Sequence, residues 1–275
     1  MAPSFKTAFL RVLVRPALVL MLALLGACVS PKSGRELASG PAHGSALASS
    51  PWTTASLAAP GATKWLHYRL PGKKPSEFTY QLLDGRAVML AAANGSASML
   101  RRIVRVEPAQ LGQISFSWKL PDLIEYADLS DREFDDSPVR IVLAFDGDRS
   151  KFSAKNAMLS ELAQVLTGDA LPYATLMYVW CNACPPDTVI ENPRTDRIRK
   201  LPLESGPAKL NRWLDYERDI RRDYERAFGE APGALTSISI MTDTDNTAST
   251  AKAWYGPITL TLKAPVTSKT QTAIQ

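Results

Sequence analysis

Polar and apolar positions alternate in short runs along most of this chain. In residues 113–120, "QISFSWKL", Ile114, Phe116 and Trp118 fall on one face and Ser115, Ser117 and Lys119 on the other. A period of two marks a strand that buries one side only. Comparable runs, rich in β-branched and aromatic residues, are "KWLHYRL" from Lys64, "EFTYQLL" from Glu77, "AVMLAAA" from Ala87, "SMLRRIVRV" from Ser98, "VRIVLAFD" from Val139, "TLMYVW" from Thr175, "RIRKLPL" from Arg197, "LTSISIMTD" from Leu235 and "YGPITLTLK" from Tyr255. Asp84-Gly85, a dipeptide that a tight hairpin favours, lies between two of these runs. Ten such segments imply two packed sheets. Two stretches follow a helical period instead. In "SAKNAMLSELAQVLTG", Met158, Leu159, Leu162 and Leu166 form an apolar stripe, with Ser153 placed to cap the start and Gly168 to end it. In "DYERDIRRDYERAFG", Ile220, Tyr224, Ala227 and Phe228 share one side, and Gly229 closes the run. Both helices are expected to pack over an edge or end of the sheets. The expected fold is mostly β, an antiparallel β-sandwich with two peripheral helices.

The ends of the chain follow other rules. Lys6, Arg11 and Arg15, with no acidic residue, precede an apolar stretch from Ala17 to Leu25, the charge-then-apolar order of a secretory signal. It is too short to span a bilayer, which takes about 20 apolar residues. Leu25-Gly26-Ala27-Cys28 resembles the bacterial lipobox. That resemblance implies a lipoprotein signal peptide over 1–27, and a mature N-terminus at Cys28 carrying a thioether-linked diacylglycerol and an amide-linked acyl chain such as palmitate. Several chains together hold a protein at a membrane stably. The alternative is an ordinary cleaved signal peptide, cut after Ala27 or nearby. Val29 stands where an inner-membrane retention signal resembles Asp, so the expected location is the periplasmic face of the outer membrane. Residues 28–51, rich in Ser, Ala, Gly and Pro, read as a flexible tether. A folded domain is expected over 52–264 and a frayed polar tail over 265–275.

Charge adds an exclusion. The chain has 32 basic and 27 acidic residues, but three of the basic ones lie in the leader, leaving 29 against 27, a balance of +2. No Lys/Arg cluster interleaved with aromatics follows, so nucleic acid is not an expected partner.

Several residues invite chemistry. Cys181-Asn182-Ala183-Cys184 reads as a disulfide in an oxidising compartment, with free thiols, a redox pair and a metal pair as alternatives. Pro185 disfavours the helix that a redox motif opens. A zinc site lacks partners, since the only histidines are His43, in the tether, and His67, in the first strand. "EYADLSDREFDDSP" supplies Asp135 and Asp136, which read as a loop between strands, as partners of Arg140, as cation ligands, or as an alternative acidic site for hydrolysis. "MTDTDNTAST" places Asp243, Asp245 and Asn246 on a strand end, where carboxylates spaced by one residue suit a structural calcium or an Asx-turn cluster. Trp118 and Trp180 read as core. Trp65, Trp213 and Trp254 read as packing, or as indoles that stack on a sugar. No phosphate loop, serine elbow or histidine-based triad is present in the sequence, and no cofactor is demanded.

The order of these segments resembles a known family. "SFSWKL", "DDSPVRIVLAFDGD", "LMYVW", "NPRTDRIRKLPLESG", "LNRWLDYERDIRRDYERAFGEAP" and "ISIMTDTDNTASTAKAWYGPITL" together resemble the bacterial domain of unknown function 3047. The resemblance implies a secreted or periplasmic β-rich domain without an assigned activity. The cysteine pair looks like a departure from the family's stretch after "YVW". The closing pattern is also similar, in architecture, to the last strand of jelly-roll carbohydrate-binding modules. The resulting expectation is a lipid-anchored jelly-roll sandwich that binds a glycan or another envelope component, with Asp243, Asp245, Asn246, Trp254 and Tyr255 as the ligand or cation site. The competing expectations are a hydrolase using Asp135 and Asp136 on an envelope polysaccharide, and a structural lipoprotein docking to an envelope assembly.

Overall fold

The computed structural model describes residues 64–264. The signal peptide, Cys28, the tether and the tail lie outside the described residues. Thirteen strands are present among the described residues. They are β1 Leu66–Arg69, β2 Glu77–Leu83, β3 Arg86–Asn94, β4 Ala97–Val106, β5 Gln113–Lys119, β6 Ser137–Phe145 and β7 Ala174–Cys181. After these come β8 Ile190–Asn192, β9 Thr195–Ser205, β10 Leu214–Asp219, β11 Leu235–Asp243, β12 Thr250–Tyr255 and β13 Thr259–Thr261. Two helices interrupt them, α1 Ala154–Thr167 and α2 Ile220–Phe228. The strands form a seven-stranded sheet in the order β1-β4-β11-β6-β7-β9-β8 and a six-stranded sheet in the order β10-β5-β12-β3-β2, with β13 added beside β5. The described fold is therefore a β-sandwich of jelly-roll type. Every pair is antiparallel except β7 with β9, which run parallel.

Alternation places the core between the layers. Leu100, Ile141, Leu143, Tyr178 and Ile240 from one sheet meet Phe78, Met89, Ile114, Phe116 and Trp118 from the other, all buried. Phe116 stacks on Tyr178 across the layers and on Tyr216 within its own, with ring centroids 5.6 and 5.4 Å apart. The β2–β3 hairpin turns on Asp84 and Gly85, both with positive φ, the primed turn that matches strand twist.

Two expectations need correction. The stretch 215–219, expected as the first turns of a helix, belongs to strand β10, which is paired along its whole length with β5. Helix α2 begins only at Ile220, where Asp219 caps it, and there it buries Ile220, Tyr224 and Ala227 as its period requires. The second correction concerns α1. Ser153 and Gly168 cap it as expected, but Met158, Leu162, Val165 and Leu166 face solvent, and its buried residues are Asn156 and Ser160. The helix is held by its polar side. Asn156 bonds Asp196 and Thr195 at 2.6 and 2.8 Å, and Ser160 accepts from Arg149 at 2.9 Å.

Candidate functional site

Two acidic segments far apart in sequence meet at one corner of the seven-stranded sheet. β6 and β11 are antiparallel neighbours, so the start of one lies beside the end of the other, and the register pairs Asp243 with Ser137. This brings Asp136, just before β6, against Asp243 and Asp245. One carboxylate oxygen from each lies within 4.8 Å of the other two. Asp136 is fixed by the loop after β11: Asn246 N donates to Oδ1 at 3.2 Å, and Thr247 N and Oγ1 donate to Oδ2 at 2.7 Å each. Asp243 Oδ2 pairs with Arg140 Nη2 at 3.2 Å, while its Oδ1 is buried and accepts no hydrogen bond. Asp245 pairs with Lys73, from the loop between β1 and β2.

A second layer of charge lies behind this one. Asp135 pairs with Arg140 at 3.2 Å and with Lys200 at 2.7 Å, and accepts from Asn192 at 3.0 Å. Burial opposes the charge on Asp135, yet Arg140 and Lys200 together hold its carboxyl below the ordinary value. Burial and the repulsion of Arg140 bring Lys200 down to about 8, against the pull of Asp135. Burial pushes the Asp243 carboxyl well above its ordinary range; Arg140 opposes the shift, and Asp245 and Asp136 add to it. Asp135 and Asp136 are thus both buried and engaged, so neither presents a carboxylate to a polysaccharide in solvent. The hydrolytic pair expected at these positions does not form an open cleft.

The expected ligand set also divides. Trp254 and Tyr255 are adjacent in β12 and face opposite ways. Tyr255 is fully buried; its hydroxyl donates to Met241 O at 2.6 Å and accepts from Arg140 N at 3.2 Å, which leaves no ring face for a sugar. Trp254 is half-buried on the outer face of the six-stranded sheet, its indole N–H bonded to Gln81 Oε1 at 3.0 Å. Asn246 joins the acidic corner through its backbone, and its side-chain amide donates to Arg132 O. Cys181 and Cys184 are joined by a disulfide at the end of β7.

The outer face that carries Trp254 holds a feature that sequence reading missed. β12 ends at Tyr255, and the chain crosses to β13 through Gly256 and Pro257. A side chain on Gly256 would collide with Ser117 Oγ, which would have to turn away to admit it. The departure of β12 leaves an open slot of about 430 Å³ lined by Arg86, Ser115, Ser117, Asp215, Tyr216 and Pro257. Arg86 spans it to Asp215, with Nη1 at 2.8 Å, and lies 5.0 Å from the ring centroid of the half-buried Trp213. Asp84, at the hairpin tip, accepts from both Lys119 at 2.8 Å and Trp213 at 3.0 Å. Those hydrogen bonds hold the Asp84 carboxyl below its ordinary value.

Residues 63–259 match the family model described as "Protein of unknown function (DUF3047)". The chain belongs to this family. The match takes in the acidic corner and the slot of this DUF3047 domain alike. No curated protein matches the chain. Among solved structures it is similar to the xyloglucanase domain of NopAA, a type three effector from Sinorhizobium fredii solved with cellobiose, at 10% identity and a TM-score of 0.37, over 74% of this chain and 97% of that one. The endo-1,4-β-glucanase CelB2 is similar at 11% identity and a TM-score of 0.39, over 73% and 97%. The family 11 xylanase from Neocallimastix patriciarum is similar at 8% identity and a TM-score of 0.34, over 75% and 98%. All three TM-scores lie below 0.5, and neither substrate nor chemistry is carried over from these enzymes.

Proposed function

We propose that this DUF3047 domain is a lipid-anchored, periplasm-facing binding module that takes a glycan across the outer face of its six-stranded sheet. The reading is carried by the slot beside Arg86. There, the Arg86–Asp215 pair and Ser115 and Ser117 line one open surface, and Arg86 reaches from it to the ring of half-buried Trp213. A sugar ring offers an apolar face and a rim of hydroxyls, which indoles and paired polar side chains complement. Glycoside cleavage needs one carboxyl kept protonated at neutral pH. The one acid that lines the slot, Asp215, is taken by Arg86, which favours recognition over cleavage. Anchoring rests on the Leu25–Cys28 pattern and places the domain among the glycans of the cell envelope.

A glycan array of envelope polysaccharides, followed by calorimetry, tests the reading. Trp213→Ala and Asp215→Ala are expected to weaken binding by at least about tenfold, or ~1.4 kcal/mol, with the fold intact by circular dichroism. Product release from any array glycan, or affinity unaltered by both substitutions, overturns it. Mass spectrometry of the mature N-terminus tests the anchor: Cys28 is expected to carry diacylglycerol and an acyl chain, and a free thiol there refutes it.

A further inference from the structure

We propose that Asp136, Asp243 and Asp245 bind a calcium ion, and that Lys73 is the counterion that gives way when the ion enters. The proposal is independent of the glycan reading and concerns the opposite sheet.

Three observations carry it. The first is convergence, with one oxygen from each of three carboxylates inside 4.8 Å of the others. Calcium–oxygen distances are about 2.3–2.6 Å, so two oxygens on one ion stand at most about 5 Å apart. The second is the unpartnered Oδ1 of Asp243. That side chain is only 9% exposed, its other oxygen is taken by Arg140, and Oδ1 has no donor at all. Buried carboxylate oxygens normally have partners, and a cation is the partner this set of neighbours fits. The third is charge. An ion that displaces the proton of Asp243 meets Asp135, Asp136, Asp243 and Asp245 against Arg140, Lys200 and Lys73, four acids against three bases. Arg140 and Lys200 are buried and fixed by Asp135, but the Lys73 side chain is 40% exposed on a loop and can swing into solvent. Its release would free Asp245 Oδ2.

The donor set also selects the ion. All three ligands are hard oxygens, which excludes preference for zinc or copper. Asp136 is clamped by three hydrogen bonds and Asp243 by Arg140, so the cage cannot contract to the near-octahedral shell at about 2.1 Å that magnesium demands. Backbone carbonyls and water can complete a larger, irregular shell. Because the ligands come from β11, its following loop and the segment before β6, a bound ion would pin three chain segments at one corner.

Calorimetric and thermal-shift titration of the EDTA-treated full-length chain with CaCl₂, and with MgCl₂ in parallel, tests this. The expected result is one equivalent of Ca²⁺, bound at least about tenfold more tightly than Mg²⁺, with a rise in Tm. Asp243→Asn is expected to weaken Ca²⁺ binding at least about tenfold, since it replaces one of three carboxyl ligands with an amide that cannot become anionic. Lys73→Met is expected to tighten it by about threefold or more, because it removes the competing ammonium. The opposite sign for these two charge changes is the diagnostic result. Absence of heat and of any Tm shift at about 5 mM Ca²⁺, above the ~10⁻³ M limit of weak extracellular calcium modules, overturns the proposal. So does Ca²⁺ binding that neither variant alters. If Asp243→Asn does not fold, Lys73→Met decides alone, since its side chain is on the surface: tighter binding supports the site, and unchanged or weaker binding overturns it.

Discussion

Lys200 has no exposed surface, and its ammonium is held by Asp135 at 2.7 Å and by the carbonyl of Leu129 at 2.6 Å. Two predictions belong to this residue and its partner. Its pKa falls from 10.5 to about 8 in the folded protein, so between those values the unfolded chain binds more protons and this group makes stability rise with pH. Comparing urea unfolding across that window, Lys200→Met is expected to flatten the rise seen in the native protein; an identical slope in both refutes it. Asp135→Asn leaves Arg140 and Lys200 buried with little to balance them and is expected to cost about 3–5 kcal/mol. At this scale the sequence was only partly legible. Asp135, Asp243 and Asp245 could be singled out as acids near strand ends, but the union of Asp136 with Asp243 depends on β6 lying beside β11, and spacing along the chain does not encode strand order. Trp254 and Tyr255 show a different failure. Strand alternation alone separates them once β12 is known to reach Tyr255, and the run was read as starting there rather than ending there.

Single elements show how local pattern and tertiary context compete. The alternation "QISFSWKL" identified β5 because burial of one face decides it, and "DG" fixed the β2–β3 hairpin through its positive φ values. β10 was hidden because "LDYERD" runs without a break into α2, and the acidic and basic residues continue at helical spacing on both sides of Asp219. Pairing with β5 overrides that local preference. α1 was identified correctly but oriented wrongly, since an apolar stripe is an argument for burial only if a partner surface is present. Val165 is 81% exposed and Leu162 53%. Val165→Gln and Leu162→Gln are therefore expected to change the free energy of unfolding by no more than about 0.5 kcal/mol. Phe116→Ala, which breaks the ring stack between the sheets, is expected to cost about 3–5 kcal/mol. Urea denaturation of the three variants checks the contrast, and a large loss in the helix variants would show that this face is covered. The Cys181–Cys184 disulfide closes so short a loop that its reduction is expected to lower stability by no more than about 2 kcal/mol, seen as a modest fall in Tm with dithiothreitol.

For the whole molecule, the order of strands matters more than their number. In the seven-stranded sheet β11 separates β4 from β6, and in the six-stranded sheet β12 separates β3 from β5. Both central positions are filled by the last third of the chain. During synthesis or export, everything through α2 therefore emerges first as two incomplete halves in each layer, with open hydrogen-bonding edges that wait for their middle. Such late, long-range closure slows folding and exposes unpaired edges to other chains. Those edges must then be kept from other chains until β11 and β12 arrive to fill the two gaps, and a truncation just before Leu235 is expected to yield aggregate rather than a smaller folded body.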